Sequence, residues 1–200
     1  YGQWKSKGNY KKGKKDGVHK SWYRNGQIEA QGDYKNGNEI GIHNSWWING
    51  QIYSEDFYVD GIKEGKSIRW FENGNKRIES NYKNGNKIGR DLAWLGNGSL
   101  VKELNYELGL KEGKAYIVSS AGSAKGSYRA DLPDGNWTWF YDGKKWKQGN
   151  YSEGELIGEC NILMDLSDFE EATFTDRLEK IMFQRAQEES PGCDANYIKA

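Results

Sequence analysis

The sequence predicts an all-β chain. It reads as an elongated, twisted antiparallel β-meander of tandem β-hairpin repeats, each about 24 residues long, with a C-terminal α-helix capping the array. Three observations predict this. Gly17, Gly41, Gly65, Gly89 and Gly113 follow one another at steps of 24 residues. Trp22, Trp46, Trp70 and Trp94 keep the same beat, as do Tyr34, Tyr58, Tyr82 and Tyr106. Asn-Gly dipeptides recur between segments rich in Trp, Tyr, Phe and Ile, residues that favour strands.

The elements follow in order. Tyr10 and Gly13 supply the last half of a first, partial unit, and six units come after it. The step shortens late in the chain, to 22 residues between Gly113 and Gly135 and 23 between Gly135 and Gly158. Unit 135–157 keeps Trp139, Tyr151 and Gly154, whereas unit 113–134 has no Trp and a Pro near its end. The repeat array is expected over 1–163, and a helix and tail over 164–200. Ser167 with Glu170 reads as a capping box. Phe174, Leu178, Ile181 and Met182 lie at helical spacing, a face suited to covering the last hairpin.

Within a unit, Asn25-Gly26 reads as a two-residue type I′ turn, which needs positive φ at both central positions. That turn sets Tyr23 opposite Ile28, Ser21 opposite Ala30 and Gly17 opposite Tyr34. The second Asn-Gly, in "YKNGNEIG", reads as a tight, irregular connection into the next hairpin. One face then carries small residues with the column Tyr23, Trp47, Phe71, Leu95, and is expected to be packed. The other carries Trp22, Trp46, Trp70 and Trp94 beside Glu29, Gln31, Glu55, Arg77 and Glu79, aromatics on a charged, wet surface. A one-residue bulge would exchange the two faces.

Composition narrows the function classes. The 200 residues include 26 Gly, 9 Trp and 14% aromatics, too aromatic for a disordered polymer. Lys plus Arg and Asp plus Glu both number 29, so the chain has no basic excess. The charge is uneven, however: residues 1–24 are lysine-rich and 153–189 are acidic. Nucleic-acid binding by lysines and stacking aromatics is therefore not expected. No apolar run is long enough to span a membrane. The chain opens at Tyr1 rather than Met and reads as a trimmed form. The cytoplasm is the expected compartment, with an exported form as the alternative. Cys160 and Cys193 are compatible with a disulfide or with two thiols.

Signs of chemistry are sparse. His19 and His43 hold equivalent places one hairpin apart, about 9–10 Å, too far to share one ion. No nucleophile elbow, phosphate loop or zinc spacing appears, so no catalytic residue, metal or cofactor is assigned, and no enzyme is expected. The candidate partner-binding surface is Trp22, Trp46, Trp70, Trp94 and Trp139, since Trp is favoured as an interface anchor. The competing reading is that these rings only stack across the sheet and stabilise it. The expected partner is another protein. Self-association through open sheet edges or oppositely charged ends is the alternative, and membrane-surface binding through the lysine-rich start is a second one.

The segments "GVHKSWYRNGQIEAQGDYKNG" and "GIHNSWWINGQIYSEDFYVDG" carry a family resemblance. They resemble the bacterial variant of the MORN repeat, tandem arrays often labelled as antitoxins or immunity-like proteins. The resemblance covers residues 1 to about 158. It implies a curved sheet of hairpins that binds other proteins, or in some cases membranes, and it implies no catalytic residues. Unit 113–134 departs from the pattern, and the segment after the array lies outside it.

Overall fold

The computed structural model describes residues 5–120 and 122–163. Regular structure there is strand throughout. The first strands are β1 (Ser6–Lys7), β2 (Tyr10–Lys11), β3 (Lys14–Lys15), β4 (Gly17–Trp22), β5 (Ile28–Lys35) and β6 (Asn38–Trp46). Next come β7 (Ile52–Val59), β8 (Ile62–Trp70), β9 (Lys76–Lys83), β10 (Asn86–Trp94), β11 (Leu100–Glu107) and β12 (Leu110–Lys111). The last are β13 (Gly113–Ser119), β14 (Gly122–Arg129), β15 (Leu132–Tyr141), β16 (Lys144–Ser152), β17 (Glu155–Leu156) and β18 (Asn161–Ile162). The helix expected within 167–189 lies outside the described residues.

The chain forms two compact units. Among the described residues, one runs to Leu100 and includes Tyr106–Gly109, and the other comprises Val101–Asn105 and the residues from Leu110 onward. In the first, β1 pairs with β4, and β4 to β10 form an antiparallel meander in chain order. In the second, β13 to β17 do the same, with β18 also on β16.

Two kinds of turn alternate in the first unit. After β5, Asn36 and Gly37 have φ of 52° and 94°, and Lys35 pairs with Asn38 across them. Both central residues are left-handed, so this is a two-residue type I′ turn. Asp60-Gly61, Asn84-Gly85 and Leu108-Gly109 repeat the same left-handed pair. After β4 the geometry differs. Gly26 N donates to Tyr23 O at 3.0 Å, and Tyr23 N donates to Gln27 O at 2.9 Å. Arg24 and Asn25 form the centre of this turn, and the left-handed residue is Gly26, with φ 86°. This is a three-residue loop with a glycine bulge.

The expected type I′ turn at Asn25-Gly26 is thus corrected: that turn belongs to the other Asn-Gly. Asn25 serves instead through its side chain. Its Oδ1 accepts from Gln27 N at 3.1 Å, and its Nδ2 donates to Ile48 O in the next hairpin at 3.3 Å. Asn49 repeats this with Gln51 and Glu72, and Asn73 with Asn75 and Gly96.

The register matches the sequence reading along most of the first hairpin. Gly17 pairs with Tyr34, His19 with Gly32 and Ser21 with Ala30. Tyr23 does not meet Ile28. Trp22 does, because Glu29 is bulged out of the ladder near the three-residue loop. A second irregularity lies between β5 and β6. Gln31 pairs with Asn44 and Asp33 with Ile40, which leaves Gly41, Ile42 and His43 opposite Gly32 alone.

That bulge brings the His43 ring down onto Gly32. A Cβ on Gly32 would lie 2.1 Å from His43 Nδ1, and one on Gly8 would lie 2.1 Å from His19 Nδ1. In later hairpins the same row holds Asp56 against Ser67 and Ser80 against Asp91, each pair hydrogen-bonded. In the second unit Trp137 lies over Gly126 in the same way. The row conserves volume by matching a ring with no side chain, or two small side chains with each other, as close packing demands.

Gly32→Ala should therefore destabilise the chain by about 1–3 kcal/mol, and His43→Ala in the same chain should recover most of that loss. Urea unfolding of both single variants and the double variant checks this. Purely additive losses would contradict it.

Candidate functional site on one face of the sheet

Side chains alternate between two faces along each strand. In the first unit one face carries a ladder of rings. Tyr10, His19, Tyr34, His43 and Tyr58 meet edge to face in succession, with centroids 5.0 to 5.1 Å apart. His19 Nε2 donates to Asn9 O at 2.7 Å and His43 Nε2 to Asp33 O at 2.9 Å. Tyr34 stands between the two imidazoles, so both are parts of the ladder. Beyond Tyr58 cations take over: Lys63 Nζ lies 5.1 Å from the Tyr82 centroid, and Lys87 Nζ lies 5.1 Å from that of Tyr106.

This ring face holds most of the buried side chains of the first unit, but the column expected to pack there does so unevenly. Tyr23, Trp47 and Phe71 are half-buried, and Leu95, just past the end of its strand, is 50% exposed. Ser54, Asp56, Ser67, Ser80 and Asp91 are buried on this face. Asp56 binds Lys63 Nζ at 2.9 Å and Arg69 Nη2 at 2.8 Å, and accepts from Ser67 Oγ at 2.6 Å. Burial alone would raise its pKa. The hydrogen bonds from Arg69, Ser67 and Lys63 outweigh burial and hold the carboxyl below its usual value.

The opposite face is the more exposed, open one, although Ile68, paired with Glu55 and Glu79, is only 8% exposed there. Trp22, Trp46, Trp70 and Trp94 end their strands there, all half-buried. The first three pair with Ile28, Ile52 and Lys76. The next row holds Gln31, Glu55 and Glu79. Lys66 Nζ and Lys76 Nζ lie 2.9 and 2.7 Å from the Glu79 carboxylate, and their hydrogen bonds hold its pKa down.

Further along the same strands the open face turns apolar. Ile42, Phe57, Val59 and Ile62 are 56%, 40%, 50% and 50% exposed. Ile42 pairs with Phe57 and Val59 with Ile62, so the four form one patch over three strands. The expected charged, wet surface is thus partly apolar. The sequence carried the signal in its alternation, because Phe57 and Val59 flank Tyr58, which belongs to the ring ladder.

Trp139 does not share this arrangement. In the second unit it pairs with Ala124 and Lys147, and its ring lies 6.2 Å from that of Trp137 and 6.3 Å from that of Tyr151. It therefore sits on the tyrosine side of its own sheet. Counted from the repeat glycine, Phe140 holds the place of Trp22, five residues on, and Trp139 the place of Ser21, four residues on. Its neighbour Lys147 is 2% exposed, and its Nζ is buried without a hydrogen-bond partner. The ammonium lies 5.0 Å from the Trp139 centroid and 5.4 Å from that of Trp146, and burial pushes its pKa down to about 8. Cys160 is disulfide-bonded, and Cys193 lies outside the described residues.

Comparison with known families finds the MORN repeat variant at residues 15–36 and 63–84. Both matched spans begin at a lysine of the ring face and end at the first residue of a type I′ turn, two periods apart. MORN-variant repeats are therefore present in the chain, and modules of this kind are generally non-catalytic. Comparison with curated proteins finds no match.

Two titrations follow from these environments. The stability contributed by the lowered pKa of Asp56 is present above pH about 4 and is lost as pH falls through the folded value. Asp56→Asn should cost about 3 kcal/mol at pH 7, and the gap to wild type should close toward pH 2. A constant gap in pH-dependent urea unfolding would contradict the ion-pair reading. Lys147 has the opposite sign. Its charge opposes folding below its folded pKa, so stability should rise from pH 8 toward 10 as the unfolded chain alone keeps the proton. Lys147→Met should remove that rise and stabilise the chain at pH 7 by about 1–3 kcal/mol.

Proposed function

We propose that this chain is a non-catalytic protein-binding module and that the open face of its first unit is the docking surface. The observation that carries this reading is the patch of Ile42, Phe57, Val59 and Ile62, each at least 40% exposed. Single exposed apolar residues are ordinary, but a contiguous group on a rigid sheet marks an interaction site. The half-buried Trp column borders it with the residue type most often found as an interface anchor. Sheet hydrogen bonds fix the backbone beneath both features, so a partner meets a surface that is already ordered.

The narrower reading is an antitoxin or immunity-like chain that masks one partner. It requires a one-to-one complex in which the partner's own activity is silenced. Affinity purification from native cells, followed by mass spectrometry and an assay of the partner, tests both levels. A stoichiometric partner is the expected result. Recovery of this chain alone, in large assemblies, would favour association through sheet edges instead.

Val59→Asp with Ile62→Asp should lower partner recovery at least about tenfold, since each places a charge in the buried centre of the interface. Both side chains are half-exposed, so the fold should stay intact. Unchanged recovery by the double variant would contradict the proposed surface.

A further inference from the structure

The carboxylates of the open face are not treated alike. Glu79 is held by Lys66 and Lys76. One repeat earlier, Glu55 occupies the equivalent place, opposite Asn44 and Ile68. The residues equivalent to Lys66 and Lys76 are there Ile42 and Ile52. Glu55 is half-buried, and among the described residues it makes no ion pair. Glu79 receives two cations from its own chain, whereas Glu55 has Ile42 and Phe57 on one side and Trp46 and Ile52 on the other. Lys66, two residues from Ile68 on β8, borders both carboxylates and gives its ammonium to Glu79.

Such a carboxylate is a charge partly removed from water without compensation. Its cross-strand neighbour is short of a donor too. The Asn44 Oδ1 is buried with no hydrogen-bond partner. The Glu55 carboxylate and the Asn44 Oδ1 are both acceptors, and they adjoin an indole and an apolar patch. The complementary group carries several donors, a positive charge and a flat surface that tolerates apolar contact. A guanidinium has these properties: it forks onto a carboxylate, has N–H groups to spare, is weakly hydrated and stacks on Trp. A lysine ammonium supplies the charge without the planar fork.

We infer that Glu55 and Asn44, set between Trp46 and the Ile42–Phe57 pair, form a receptor for an arginine side chain of the partner protein. This rests on the protein-binding reading above and adds the chemistry of the contact. The surrounding Ile42, Phe57, Val59 and Ile62 then cover the apolar residues that flank that arginine.

The test is an NMR titration of the labelled full chain with acetyl-arginine amide, acetyl-citrulline amide and acetyl-lysine amide. Saturable shifts of the Asn44 side-chain amide and the Trp46 indole with the arginine probe are expected. The citrulline and lysine probes should bind at least about tenfold more weakly. Glu55→Gln should weaken the arginine probe about tenfold. Ile42→Lys, which restores the cation found beside Glu79, should do the same from a position 56% exposed, where folding is not at risk. Equal shifts with citrulline, or binding indifferent to both variants, would overturn the inference.

The same variants in the affinity purification separate the two readings. If the partner is lost with Val59→Asp and Ile62→Asp but fully retained with Glu55→Gln, the arginine assignment fails and the docking face stands. If none of them affects recovery, the docking face itself fails. Dimerisation of the chain that Glu55→Gln abolishes would assign the site to a second copy and overturn the choice of partner.

Discussion

Everything in the first unit depends on register, and register depends on left-handed backbone at the turns. A strand slipped by one residue would send every side chain to the other face. The chain prevents this with left-handed pairs such as Asn36-Gly37 and Asp60-Gly61, which leave no residue to spare between strands. The three-residue loops at the other ends of the strands are held by the Asn25, Asn49 and Asn73 side chains. With both ends of a hairpin pinned, the ring ladder and the open face cannot exchange. The composition of each face is thus a consequence of turn geometry.

The two faces divide the energetic work. The ring face has no thick aliphatic core to rely on. It packs a row one residue deep, in which an imidazole over Gly32 and a serine against Asp56 are alternative solutions to the same spacing. Polar members of that row are satisfied by neighbours, as Asp56 is by Arg69 and Lys63. The open face is under no such pressure. It can keep Phe57 and Val59 in solvent because the strands that carry them are stabilised from the other side. Apart from Ile68, whose side chain is buried there, the open face keeps its apolar residues half-buried or exposed.

Much of this was legible in the sequence. The period gave the hairpins, and the pairs Gly17–Tyr34 and Ser21–Ala30 came from counting outward from a turn. The turn type was not legible, because Asn-Gly serves two purposes here. In one place it supplies two left-handed residues, and in the other an asparagine side chain and a single left-handed glycine. The face on which Trp139 lies was not legible either. In its unit the Trp22 column is held by Phe140, and Trp139 stands one residue earlier, which in a strand is a change of face. The special position of Glu55 was present in the columns too, but its meaning needs the distances from Lys66 and Lys76 to Glu79. Only those show that Ile42 and Ile52 stand where cations would be.

The central claim is that one face of the first sheet, and not the other, meets a protein. The most direct measurement places a photoreactive side chain at Val59 and, separately, at Tyr58, in the native cells. These residues are adjacent in sequence and project from opposite faces. The account predicts one discrete crosslinked product from position 59 and none from position 58. A product from position 58 alone, or equal products from both, would contradict it.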